Sequence, residues 1–388
     1  MLINRLALLE SYIEKNNYMG FDPYDGLMSP IFKLPVLKSN HLIRFLSQQF
    51  IKRFPLDLRP ILRIKPGLNP VTLGLCIQAY SELTQVYPEK EHELNKKINH
   101  LIILLEELIP KGFSGACWGY DFDWAARNAN IPAYQPTVVA TGIISNALYI
   151  CFSKTKNEKA KELLLSSEKF VVNDLNRTDD ENGDICFSYS PFDKQLVFNA
   201  SLKGARLLAQ CYSINNNAES AILGQKAIAY VMKNQRQDGA WIYSKAKAGG
   251  WVDNYHTGYV LDCADEYSNL TKDETFLNNI TKGFNYYKAN FFQIDGMPKF
   301  YDKNPFPVDC TSASQSLLTL VRFGDLELAE KVATWMINNM QDKQGYFYFR
   351  KFENHTEHQS FMRWSNAWMF AGLSTLIGKV DAITKKAN

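Results

Sequence analysis

The chain has 388 residues, 46% of them hydrophobic and 21% charged, a balance that belongs to a folded globular protein and excludes a disordered one. Its net charge of +3, with no dominant block of like charges, argues against nucleic acid as a partner. The aromatic content of 13%, with many Asp, Asn and Gly in the connecting stretches, points towards carbohydrate, whose rings stack on aromatic faces while their hydroxyls need polar partners.

The first segment, "MLINRLALLESYIEKNNY", interrupts its apolar residues with Arg5, Glu10, Glu14 and Lys15. It therefore predicts an amphipathic helix over 2–14 and not a secretory signal. Apolar residues at helical spacing predict further helices at 37–51, 70–87, 91–109, 137–153, 158–175, 195–213, 218–234, 256–268, 273–291, 311–323, 326–341 and 361–376. Residues 17–36 and 51–68 lack that period, so residues 1–68 are expected to form a partly irregular arm packed on a single domain that takes in the whole chain. In the arm, 51–65 sets Lys52, Arg53, Arg59, Arg63 and Lys65 among Phe, Leu and Ile. That pattern suits a packed arm or a peripheral contact with an anionic membrane. No run is expected to span a bilayer.

Connectors of two kinds alternate along the chain. "KTKNEK", "SINNNAES" and "NLTKDE" are short and polar, as antiparallel helix hairpins require. "SGACWGYDFDW", "DENGDICFSYS", "RQDGAWIY", "DGMPKFY" and "DKQGYFYFR" each combine Gly with Asp or Asn and aromatics, and they recur at intervals of about fifty to seventy residues. A unit of two helices and an aromatic loop is a repeat. About a dozen helices predict an all-α fold of six hairpins closed into an α/α toroid, with the loops at Gly115, Gly183, Gly239, Gly296 and Gly345 gathered at one mouth. An open superhelix would use shorter and more uniform repeats.

The seven cysteines are scattered and never form a CxxC pair, which favours reduced thiols and a cytoplasmic setting. Phosphate-binding, nucleotide-binding and zinc-protease motifs do not occur. His355 and His358 are a weak i,i+3 pair, and no metal or other cofactor is expected.

Three resemblances bear on function. "NQRQDGAW" resembles the QW motif of terpene and squalene cyclases, α/α barrels in which the motif staples helices; their DxDD acid motif has no counterpart in this sequence. "GFDPYDGLMSP", "WGYDFDWAAR", "PTVVATGIISNAL", "WVDNYHTGYVLD", "PVDCTSASQSL" and "MRWSNAWMF" together look like a prenyltransferase-like, α/α-toroid family of bacterial polysaccharide-biosynthesis clusters with no settled activity. More distantly, "FSYSPFDKQLVFNASLKGARLLAQCY" and "DNYHTGYVLD" are similar to the helical domain of glucuronyl C5-epimerases, without that family's β-rich N-terminal part. This resemblance implies a catalytic role for Tyr255.

The residues themselves suggest where chemistry could lie. Asp253, Tyr255 and His256 stand where an aromatic loop enters a helix, a place that favours an anion such as a uronate carboxylate. Abstracting a uronate C5 proton needs a base, an acid on the other ring face and a group that stabilises the enediolate. Tyr255 and Tyr189 could form the acid–base pair, with His256 or Arg363 on the carboxylate; Asp253 could instead simply cap the helix. Trp118, Asp121, Asp123, Arg127 and Tyr134, with Trp251, are candidate sugar contacts, and Trp124, like Trp118, could be a sugar platform or a lid anchor. Asp309 is either an N-cap or an acid aimed into the mouth, where with a second Asp it would permit glycoside hydrolysis. Trp364 and Trp368 lie one turn apart and read as core. The expected activity is uronate C5-epimerisation, or the related β-elimination, on an oligo- or polysaccharide or a lipid-linked glycan. Paired-carboxylate hydrolysis and a non-catalytic glycan-binding scaffold are the alternatives.

Overall fold

The computed structural model describes residues 1–54, 56–125, 130–246 and 249–387. Arg127, a candidate sugar contact, lies outside the described residues. The helices are α1 (Leu2–Lys15), α2 (Pro35–Ser39), α3 (His41–Arg53), α4 (Pro70–Val86), α5 (Glu91–Glu107), α6 (Val138–Thr155), α7 (Glu158–Asn173), α8 (Phe198–Asn215), α9 (Ala218–Met232), α10 (Asn254–Thr271), α11 (Leu277–Phe291), α12 (Cys310–Arg322), α13 (Leu326–Met340) and α14 (Trp368–Ala387). They build an all-α toroid.

The even-numbered helices from α4 to α14 form the inner ring. Each packs on the next, and α14 packs back on α4 to close the circle. These helices are apolar on almost every face because they touch neighbours on both sides and an outer helix behind; α4, α6 and α8 bury nearly their whole length. The outer helices bury one stripe each, such as Leu94, Ile98, Leu101, Ile102 and Leu105 of α5. By length and composition α6 could cross a membrane, contrary to the expectation that no run would; its apolar surface instead packs inside the ring.

Side-chain caps set the register of the inner helices. Asn69, Thr137, Asp253 and Asp309 accept from backbone N–H groups in the first turns of α4, α6, α10 and α12. At the other end Lys156, Asn216 and Lys272, all left-handed, turn the chain into the outer helices.

The aromatic loops all run from an outer helix to the following inner one, so they share one end of the toroid. Gly183, Gly239, Gly296 and Gly345 have φ between +75° and +104°, and each donates its N–H to the carbonyl three residues before. This is one turn used four times, and only glycine adopts it without strain. In the first loop Gly112, at φ +91°, has the left-handed conformation. Gly115 is there for a different reason, since a Cβ on it would sit 1.9 Å from the carbonyl of Ser166 on α7.

The closure explains α1. A Cβ on Gly239 would strike the backbone of α11, and one on Gly296 would strike α13. Equivalent crowding at Gly345 comes from Leu8 of α1. Likewise Gln235 Nε2 donates to the carbonyls of Gly239 and of Asn279 on α11, while Gln341 Nε2 donates to those of Gly345 and of Arg5 on α1. So α1, expected in the N-terminal arm, is the sixth outer helix, and the two ends of the chain make the sixth hairpin.

Among the described residues, three small antiparallel sheets lie in the loops at this end. They pair β1 (Trp124–Ala125) with β2 (Asn130–Ile131), β3 (Arg177–Asp179) with β4 (Ile185–Phe187), and β5 (Val308–Asp309), β6 (Tyr348–Lys351) and β7 (Thr356–Ser360) in that order. His355 and His358 lie around the β6–β7 hairpin, stacked near Phe352 and Tyr348. Residues 17–68 cross the same end. They are tied down by Gly20–Gly67 and Phe21–Phe361 bridges, an Arg44–Asp123 ion pair of 2.8 Å and a buried Arg59–Asp25 pair of 2.9 Å.

Candidate active site

A cavity of about 520 Å³ opens at the loop end of the ring. Its wall is aromatic: Tyr24 from the arm, Tyr120, Phe122 and Trp124 ahead of α6, Tyr189 ahead of α8, Tyr243 and Trp251 ahead of α10, and Trp364 and Trp368 leading into α14. His256, Tyr255 and Arg363 complete it. Each inner helix begins at this mouth, so separate hairpins deliver side chains to one space.

Asp253 organises the His256 side. As the N-cap of α10, its Oδ1 accepts from the His256 backbone N–H at 3.0 Å. Its Oδ2 accepts from Trp251 Nε1 at 2.8 Å and contacts His256 Nδ1 at 2.7 Å. A carboxylate can only accept, so Nδ1 carries the hydrogen, and in the neutral tautomer this fixes the lone pair is on Nε2. The imidazole is held between Tyr243 and Tyr255, with ring centroids 4.5 and 4.0 Å away, and Tyr243 stacks on Trp251 at 4.6 Å. The result is an oriented imidazole on the wall of an aromatic cleft.

Arg363 is positioned from the opposite end of the chain. Its Nε and Nη2 donate to the two oxygens of Asp22 at 2.7 and 3.0 Å. The guanidinium lies 4.8 Å from the Tyr120 ring centroid and 5.1 Å from that of Trp364. Burial alone would lower its pKa, but the Asp22 carboxylate holds it above the ordinary value, so it is a fixed cation. Arg363 belongs to a turn of π-helix, Met362–Ala367, that runs into α14. Such turns widen the helix and present side chains that a regular start would turn elsewhere.

The tyrosines are held neutral. Burial pushes Tyr189, Tyr255 and Tyr259 well above the usual phenol range, and Tyr24 to about 12. At neutral pH they are proton donors. Lys52 donates to Tyr24 Oη at 2.5 Å, and burial pushes its ammonium well below the ordinary lysine range.

Of the residues singled out from the sequence, Trp124, Tyr189, Trp251, Tyr255, His256 and Arg363 line this cavity. Asp253 stands directly behind His256. The other described candidates are elsewhere. Trp118 is fully buried and donates from Nε1 to the carbonyl of Leu105 at 2.8 Å; Trp241 does the same to Val231 at 3.2 Å, so both staple an inner-helix loop to the preceding outer helix. Asp121 accepts from Asn69 at 2.5 Å, and burial raises its pKa to about 7. Asp123 pairs with Arg44. Tyr134 occupies a left-handed turn at φ +62° and is partly exposed. Asp309 is fully buried as the N-cap of α12, accepting from Arg350 Nε at 2.6 Å and from Trp364 Nε1 at 3.2 Å. Sequence reasoning missed Tyr24, Tyr120, Tyr243 and Tyr259; Trp364 and Trp368, read as core, are buried and also line the cavity. Apart from Tyr24, which comes from the arm, these tyrosines lie before or just inside an inner helix, a signal visible only as loop composition.

No protein-family model matches the chain, and no curated protein matches it in sequence. Solved structures do. The cellobiose 2-epimerase of Bacillus thermoamylovorans superposes with a TM-score of 0.60 at 13% identity, over 82% of this chain and 90% of that one. The GH76 α-mannanase of Bacteroides thetaiotaomicron gives 0.60 at 14% identity, over 83% and 89%. An unsaturated glucuronyl hydrolase specific for heparin gives 0.58 at 13%, over 83% and 89%. What they share with this chain is the α/α toroid. At such identities the likeness establishes the fold and leaves the chemistry to the site.

Proposed function

We propose that the protein is a carbohydrate-active enzyme that removes a proton from the carbon next to a sugar carboxylate, with C5-epimerisation of a uronate in a free or lipid-linked glycan as the outcome. One observation carries the reading: the Asp253-oriented imidazole of His256 and the Asp22-held guanidinium of Arg363 share the wall of one aromatic cavity. Arg363 receives the carboxylate and stabilises the enediolate as charge develops on it. His256 Nε2 takes the C5 proton. A neutral phenol, from Tyr189 or Tyr255, returns a proton to the other face and is re-protonated from water. The tyrosines are thus better placed as acids than as the base, because burial disfavours the phenolate. Trp124, Trp251, Trp364 and Trp368 offer stacking faces for sugar rings. If the enediolate instead expelled the substituent at C4, breaking the C4–O bond while the phenol protonated the departing oxygen, the same groups would give the β-elimination product.

Paired-carboxylate hydrolysis has less support. Among the described residues that line the cavity none is Asp or Glu, and Asp253 and Asp309 are spent on His256, Trp251, Arg350 and Trp364. Incubation with a glucuronate-containing oligosaccharide in deuterated water tests the proposal. Deuterium should enter at C5 without chain cleavage. A new reducing end in place of exchange would assign hydrolysis, and binding with no turnover would assign a scaffold.

A further inference from the structure

The N-terminal arm carries an apolar surface that the toroid does not use. On α3, Arg44, Gln48 and Ile51 face inward, whereas Leu42, Leu46 and Phe50, at i, i+4 and i+8, are each more than half exposed. Leu34 and Val36 just before this helix, and Leu56 and Ile61 just after it, are also more than half exposed. So many large apolar side chains open to water within one short segment mark an interaction surface.

Charge identifies the partner. Residues 28–66 contain eight Lys or Arg and one acid, Asp57. Arg44 and Arg59 are paired with Asp123 and Asp25, and Lys52 turns inward onto Tyr24. Lys33, Lys38, Arg53, Arg63 and Lys65 remain exposed, with no ion pair among the described residues. A second copy of the chain docked on this face by two-fold symmetry would bring two such cationic sets together. Nucleic acid would answer the charge but not the aliphatic side chains. An anionic bilayer answers both, taking the apolar groups below the headgroups and the cations at them.

We infer that this face, centred on α3, docks the protein on a membrane rich in anionic lipid. The basic stretch 51–65 contributes Arg53, Arg63 and Lys65 to it, while Lys52 and Arg59 belong to the interior of the arm. Phe45, Leu46, Gln49 and Arg53 of the same helix also line the cavity, so docking places the mouth beside the headgroup layer. The inference does not depend on the reaction proposed above, because it rests on the arm alone.

Co-sedimentation of the full chain with phosphatidylglycerol–phosphatidylcholine vesicles tests it, with pure phosphatidylcholine vesicles as the control. Binding should appear with the anionic vesicles and weaken as salt is raised from about 0.1 to about 0.5 M. Leu42→Ser with Phe50→Ser should lower the partition coefficient roughly tenfold or more. Lys33→Glu with Lys38→Glu and Arg63→Glu should abolish the anionic preference. Circular dichroism melts check that both variants are folded; these substitutions are on exposed positions. No binding to anionic vesicles at low salt, or binding unchanged in both folded variants, overturns the inference. Self-association that is lost in the Leu42/Phe50 variant, with no vesicle binding, assigns the face to a second copy and overturns it too.

Discussion

Replacing Asp253 by Asn separates its capping role from its effect on His256. The carboxylate meets three donors: the His256 backbone N–H at Oδ1, and Trp251 Nε1 and His256 Nδ1 at Oδ2. An Asn side chain has one acceptor oxygen and one NH₂. With its oxygen on the backbone N–H the cap survives, since Asn caps helices about as well as Asp. The NH₂ then faces two donors. Trp251 is 36% exposed, so water can take up its N–H and the stability lost should be about 1 kcal/mol. His256 can accept from the new NH₂ only by moving its hydrogen to Nε2, which turns the proposed base into a donor. A mis-set tautomer of this kind costs on the order of 10³- to 10⁴-fold in rate, or about 4–5.5 kcal/mol of barrier. The expected result is a melting temperature within a few degrees of wild type and C5 deuterium exchange, followed by proton NMR, slowed about a thousandfold or more. Exchange within threefold of wild type in a folded Asp253→Asn protein would refute the role given to His256.

Arg363→Lys keeps the charge but cannot reproduce the two-pronged contact with Asp22, so exchange should fall by roughly a hundredfold; steady-state kinetics on the uronate substrate check this. Asp121 keeps its proton up to about pH 7 in the fold but only to about pH 3.9 when unfolded. The folded state then binds more protons between those values, and stability falls by at most about 4 kcal/mol as pH rises from about 4 to about 7. Asp121→Asn should remove this slope, which urea titrations at pH 5 and pH 8 will show. Leu9→Ala, on a fully buried face of α1, should cost about 2–5 kcal/mol in chemical denaturation. A cost below about 1 kcal/mol would mean that α1 does not seal the ring.

The helices and the two kinds of loop were legible in the sequence because both are local. Helical spacing of apolar residues needs only the chain itself, and the repeated left-handed turn needs glycine at a fixed place. Even so, the first repeat misled, since Gly115 answers a packing need and it is Gly112 that has the left-handed conformation. The site was legible in part. His256 and Tyr255 stand in a conspicuous stretch, and Arg363 begins the last inner helix. Local sequence cannot say where a carboxylate points, however. Asp253 and Asp309 have the same cap geometry, yet one orients a cavity histidine and the other is closed off by Arg350 and Trp364. Trp118 and Trp124 are six residues apart; the first staples a helix and the second faces the cavity.

The sequence by itself determined the all-α repeat and the gathering of aromatic loops, because secondary structure and turn chemistry depend on neighbours in the chain. Only the tertiary structure decided that α1 is the sixth outer helix, and that Asp22 from the arm holds Arg363 from the last inner helix. Both depend on ring closure, which joins segments more than three hundred residues apart, and no local pattern encodes that distance.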